Sequence, residues 1–136
     1  MEVQKPPTNT NRLLVIDDEV GVTSVIEHVA RALGFEVLSI HDPDQFEKGL
    51  MKIRPSVIFL DIAMPGRDGM QLIGHLASKG YGGQIVIMSG SGTHYIQMSA
   101  ASAKARGLMI AGTLPKPFRK QQIVELLSSI AGGHRE

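Results

Sequence analysis

The chain has no cysteine and no tryptophan, and aromatic residues make up only 4% of its 136 positions. Without cysteine there are no disulfides, no thiolate zinc sites and no cysteine nucleophiles. That fits a reducing compartment, and a cytoplasmic location is the expectation. The formal net charge is only +1, and no basic cluster compensates locally, so neither nucleic acid nor an anionic membrane surface is an expected partner. No apolar run approaches the length of a membrane span. The N-terminus from Met1 to Asn11 is polar and carries Pro6-Pro7, which reads as neither a signal peptide nor an anchor. Internal repeats and low-complexity segments are missing as well.

What is present is a globular composition, 43% hydrophobic and 20% charged, in a chain of one-domain length. Its centre is Val57-Ile58-Phe59-Leu60-Asp61, followed by Ile62-Ala63-Met64-Pro65-Gly66. An apolar run without alternation is expected of a strand covered on both faces, as in a parallel sheet. Around it, strands and helices alternate. Arg12 to Ile16 is a strand, and Val22, Val25, Ile26, Val29 and Leu33 follow at helical spacing, stopped by Gly34. Phe35 to Ile40 is a second strand with Phe35, Val37 and Ser39 on one face. Asp42-Pro43 predicts a helix start, with Gln45 completing a capping box, and Phe46, Leu50 and Ile53 line a helix that ends near Pro55. After the strand Ser56 to Asp61 and the turn Met64 to Gly69, Leu72, Ile73 and Leu76 mark a third helix. Gln84 to Met88 is a fourth strand. Thr93 is the expected cap of a fourth helix with a weak stripe of Ile96, Ala100 and Ala103. Leu108 to Leu114 is a fifth strand, and Ile123, Leu126, Leu127 and Ile130 form a last helix stopped by Gly132-Gly133. Such alternation predicts an α/β fold, a three-layer (βα)5 doubly wound parallel sheet. Residues 12–131 form the domain, with tails at 1–11 and 132–136.

In a parallel sheet the C-terminal strand ends share one edge, which is where open α/β sheets place their ligands. Here that edge receives Asp17 and Asp18 after the first strand, Asp61 after the third, Ser89 after the fourth and Lys116 after the fifth. Singly, each has a plain explanation: a helix N-cap pair, a loop cap, a turn serine, a surface lysine. Jointly they converge. Clustered carboxylates repel unless a cation sits among them, and an all-oxygen set suits Mg2+, with Mn2+ as the alternative. Lys116, the Ser89 hydroxyl and the backbone beside Gly90 would complete a cradle for a three-oxygen anion attached to Asp61.

These residues resemble a receiver domain of the response-regulator family in bacterial two-component signalling: Asp17-Asp18, the aspartate of F-L-D-I-A-M-P-G-R-D-G at Asp61, the hydroxyl at Ser89, and K-P-F at Lys116-Pro117-Phe118. The resemblance implies a flavodoxin-like strand order 2-1-3-4-5 and a cis peptide before Pro117. It implies that Asp61 accepts a phosphoryl group from a phosphohistidine on a sensor histidine kinase or histidine phosphotransfer protein. The Mg2+ would be held by Asp18, Asp61 and the Ala63 carbonyl, with Asp17 acting through water. Lys116 and Ser89 would contact the phosphoryl oxygens, and Ser89 would shift inward as a switch. The readout would be a downstream protein target, a detached output domain, or a homodimer formed on activation.

Two features depart from the family pattern. Thr113 stands where an aromatic switch residue is usual, and the segment from Ser89 to Lys116 is several residues longer than the norm. With G-T-L-P-K-P-F, that segment resembles receivers attached to cyclic-di-GMP phosphodiesterase domains. Tyr95 and Met98 in it read as partner contacts or, more plainly, as ordinary core and surface. Two other functions compete: a phosphorylation-independent interaction module, and a magnesium-dependent aspartyl-phosphate hydrolase. The second usually carries another acid two residues after its nucleophile, where this chain has Ala63.

Overall fold

The computed structural model describes residues 11–64 and 69–132. Five strands form one parallel sheet in the order β2-β1-β3-β4-β5. They are β1 (Arg12–Ile16), β2 (Glu36–Ile40), β3 (Val57–Asp61), β4 (Gln84–Ser89) and β5 (Met109–Pro115). The helices between and after them are α1 (Val20–Ala32), α2 (Phe46–Ile53), α3 (Gly69–Ser78), α4 (Thr93–Ala105) and α5 (Lys120–Gly132).

The apolar strands divide their side chains between two cores, because successive residues point to opposite faces. Leu13, Val15, Val57, Phe59, Val86 and Met88 pack with Ile26 and Val29 of α1 and Ile123 and Leu127 of α5. Leu14, Ile16, Ile58, Leu60, Ile85 and Ile87 pack with Phe46 of α2, Leu72, Ile73 and Leu76 of α3, and Ile96 and Ala103 of α4. Every residue of β3 is buried, as expected of a central strand with helices on both sides. Phe35 and Val37 join the α1/α5 core, and the Ser39 hydroxyl donates to Glu27 of α1, so the expected face of the second strand holds.

Several local expectations are corrected. The fourth helix is capped by Gly92 at φ +105, with Thr93 as its first residue and no side-chain cap; only glycine takes that backbone conformation freely. The Asp42 side chain accepts from the Asp44 amide and opens a single 3₁₀ turn, Pro43–Gln45. Gln45 supplies no reciprocal side-chain bond, so the capping box does not form and α2 begins at Phe46. The fifth strand runs one residue later than expected. It also carries a bulge: Ile85 pairs with Ile110 but Val86 pairs with Gly112. Ala111 is the extra residue, and the bulge with the 13-residue α4 absorbs chain within the long Ser89–Lys116 segment. The expected tails and the Met64–Gly69 turn fall largely on residues 1–10, 65–68 and 133–136, outside the described residues.

Candidate functional site

Register brings the site together. Ile16 pairs with Leu60, so Asp17, one residue on, emerges beside Asp61. Asp61 pairs with Met88, and Ser89 pairs with Pro115, which delivers Lys116 next to the end of β4. Backbone bonds then fix each exit: Asp17 N–H donates to the Ile40 carbonyl, Ile62 N–H to Met88, and Lys116 N–H to Ser89. All five expected side chains reach the same edge of the sheet. Asp18, Asp61 and Lys116, with Ala63, Gly90 and Ser91, help to line a cleft of about 720 Å³ there, and Asp17 and Ser89 lie buried beside it. The Lys116–Pro117 peptide is cis, as the resemblance implied.

Asp61 is 2% exposed and Asp17 fully buried, while Asp18 is exposed. The three carboxylates offer oxygens that all lie within 4.8 Å of one another. Asp61 Oδ1 accepts from the Ala63 amide at 2.9 Å, and Asp61 Oδ2 accepts from Lys116 Nζ at 3.1 Å. Asp17 Oδ1 accepts from the Glu19 amide at 2.9 Å. Asp17 Oδ2 stands 2.7 Å from Lys116 Nζ, an ion pair. The Ser89 hydroxyl oxygen accepts from the Ser91 amide at 2.9 Å.

Burial pushes the Asp17 carboxyl up to about 6, against the Lys116 contact and the Glu19 amide, with the charge of Asp61 adding to the rise. Burial alone would lower the Lys116 ammonium, but its contacts with Asp17 and Glu19 and the charge of Asp61 outweigh this and hold it above the ordinary lysine range. A buried carboxylate with a raised pKa and a three-acid all-oxygen cluster together fit a hard divalent cation.

Sequence reasoning gave no role to Glu19. Its Oε1 accepts from Lys116 Nζ at 2.9 Å, so the ammonium is gripped by three carboxylates. The available signal was its place as the third acid of Asp17-Asp18-Glu19. Gly69 was read only as the end of a turn. A Cβ there would collide with the backbone of Ile62, next to Asp61, so this glycine lets α3 start against the strand that carries Asp61. Thr113 pairs with Ile87, whose side chain lies in the core under α3 and α4, and is half-buried. Tyr95 reaches back toward the Ile62 carbonyl, whereas Met98 is 58% exposed.

A doubly wound parallel sheet thus carries a buried aspartate, an acidic cluster and a lysine at its C-terminal edge. The family model for the response regulator receiver domain matches residues 13–128, and the chain belongs to that family. Among curated proteins it is similar to the chemotaxis protein CheY of Listeria monocytogenes, 24% identical over 126 residues, covering 88% of this chain and 98% of that protein. The CheY of Thermotoga maritima is 23% identical over 122 residues, with 88% and 97% covered. Among solved structures, a response regulator from Colwellia psychrerythraea superposes with a TM-score of 0.78 at 23% identity, covering 92% of this chain and 99% of that one. The receiver domain of NtrX from Brucella abortus gives 0.72 at 26% identity, with 87% and 96% covered.

Proposed function

We propose that residues 12–131 form a phosphoacceptor receiver that takes a phosphoryl group onto Asp61 and switches a protein-interaction surface. The observation that carries this reading is the buried Asp61 carboxylate, with Lys116 Nζ 3.1 Å from its Oδ2 and two further carboxylates beside it. In the reaction an Asp61 oxygen attacks phosphorus in line. The bond from phosphorus to the donor's histidine nitrogen breaks, and the imidazole leaves with that electron pair. The product is an acyl phosphate. The chain's work is positioning and charge neutralisation. Lys116 offers N–H donors to the transferring oxygens. The Ser89 hydroxyl donates to another, and its movement toward the phosphoryl draws the Gly90–Gly92 loop and the start of α4 with it. Mg2+ (or Mn2+) would be held by Asp18, Asp61 and the Ala63 carbonyl, with Asp17 acting through water; when bound it supplies the remaining positive charge. Thr113 lies on the α4 side of the sheet and would take the place of an aromatic switch residue there.

The donor is a sensor histidine kinase or a histidine phosphotransfer protein. The target is a downstream protein, an output domain of the kind joined to cyclic-di-GMP phosphodiesterase receivers, or a second copy. Incubation with Mg2+ and acetyl phosphate tests the chemistry. A mass gain of one phosphoryl group, absent in Asp61→Asn, is expected. No gain in the parent protein would favour a phosphorylation-independent interaction module, and steady turnover of phosphate esters a hydrolase. Size-exclusion chromatography with and without beryllofluoride and Mg2+ tests for an activated homodimer.

A further inference from the structure

Lys116 Nζ has three protons and three carboxylate partners: Asp17 Oδ2 at 2.7 Å, Glu19 Oε1 at 2.9 Å and Asp61 Oδ2 at 3.1 Å. An arriving phosphoryl oxygen must displace one of them. Asp17 is fully buried and its other oxygen is tied to the Glu19 amide. Asp61 is the acceptor itself. Glu19 is different. Its side chain is 59% exposed, it lines the mouth of the cleft, and it is long enough to swing into water.

Among the described residues the Glu19 carboxylate has no partner besides Lys116. Its backbone caps α1, accepting from the Val22 and Thr23 amides, but its side chain makes no capping bond. For capping alone, Ser, Thr, Asp or Asn would serve better. As an exposed ion pair its worth to stability is small. What it does is occupy the ammonium and place a fourth negative charge at the entrance of a site that anions must enter.

We propose that Glu19 is a positioning residue that clamps Lys116 in the resting site, gives way to the incoming phosphoryl group, and by its charge disfavours free dianionic phosphodonors. This rests on the reading of Asp61 as phosphoacceptor. The cost of the Glu19 charge scales with the charge on the donor and is screened by salt, which separates it from a merely structural effect.

The test compares phosphorylation rates of the parent protein, Glu19→Gln and Glu19→Asp with two donors at pH 7 in Mg2+. Acetyl phosphate is a dianion whose P–O bond breaks to release acetate. Phosphoramidate carries one net negative charge fewer, and its P–N bond breaks to release ammonia. Glu19→Gln is expected to speed acetyl phosphate roughly three- to tenfold and phosphoramidate by less than about twofold, with the difference shrinking as sodium chloride is raised. Glu19→Asp keeps the charge and stays near the parent ratio between donors. Equal effects of Glu19→Gln on both donors, a salt-independent gain, or an Asp variant that behaves like Gln would each overturn the proposal while leaving Asp61 as acceptor. Failure of the parent protein to gain a phosphoryl group would overturn the underlying reading and this one with it.

Discussion

Replacing Asp17 by asparagine should stabilise the metal-free protein at neutral pH. The Asp17 carboxyl is raised from 3.8 to about 6, chiefly by burial. A carboxyl whose folded pKa lies above its unfolded value contributes stability that is complete below about pH 4 and is lost as the pH rises through about 6. Above that window the folded protein holds an ionised carboxylate at a net cost. The full shift corresponds to about 3 kcal/mol at pH 7.5. Asparagine avoids the charge and keeps an Oδ1 to accept the Glu19 amide, but Lys116 loses one of its three partners. A net gain of about 1–2 kcal/mol is therefore expected. Urea unfolding followed by circular dichroism in EDTA reads it directly. The carboxylate's cost should fall by about half at pH 5, where most of the folded parent protein already carries the proton, so the variant's advantage should nearly vanish there. Saturating Mg2+ should reverse the order, since a cation that binds only the folded state stabilises the parent protein by mass action and the variant has lost one acid of the cluster. A variant less stable than the parent at pH 7.5 in EDTA, or a difference independent of pH, would refute the reasoning that burial of this carboxylate is a cost accepted for cation binding.

Other outcomes follow from the same geometry. Ala63 and Ser91 are both exposed at the cleft and small, so on the proposed function water should reach an acyl phosphate on Asp61 and keep the mark short-lived. Ala63→Met should slow dephosphorylation after donor removal several-fold, and an unchanged lifetime counts against it. Gly69→Ala should lower stability by about 1–3 kcal/mol, because the new Cβ meets Ile62 backbone that cannot yield; chemical denaturation measures this. Phe59→Ala should cost about 3–5 kcal/mol in the same assay, since Phe59 is fully buried in the central strand, and a smaller loss would mean that the α1/α5 core can collapse around the gap.

The fold was legible because its signals are additive over many residues. Apolar strands without alternation, helical stripes and Gly34 after α1 all pointed to one layered arrangement, and no residue-level error could flip it. The caps were less legible because they turn on single dihedral angles. Thr93 has the right side chain for a cap, but the preceding Gly92 takes up φ +105 and moves the cap one residue back. The bulge at Ala111 leaves no mark in composition, since an extra residue in a strand changes only which face its neighbours meet.

The site divides along the same line. Asp17, Asp61, Ser89 and Lys116 follow from topology, because each is the last residue of a strand or the first beyond it. Glu19 does not. Its meeting with Lys116 across 97 positions depends on where the first turn of α1 lies and on a side-chain conformation, neither of which any spacing encodes. The same distinction bears on function. The residues that topology places are those to which the proposed function assigns the holding of a phosphoryl group on Asp61, so they are set by the sheet. Glu19 at the mouth, which only side-chain geometry places, is the residue proposed to act on the entry of the donor. On that reading the chemistry is set by the scaffold and the selectivity by a side chain on its rim.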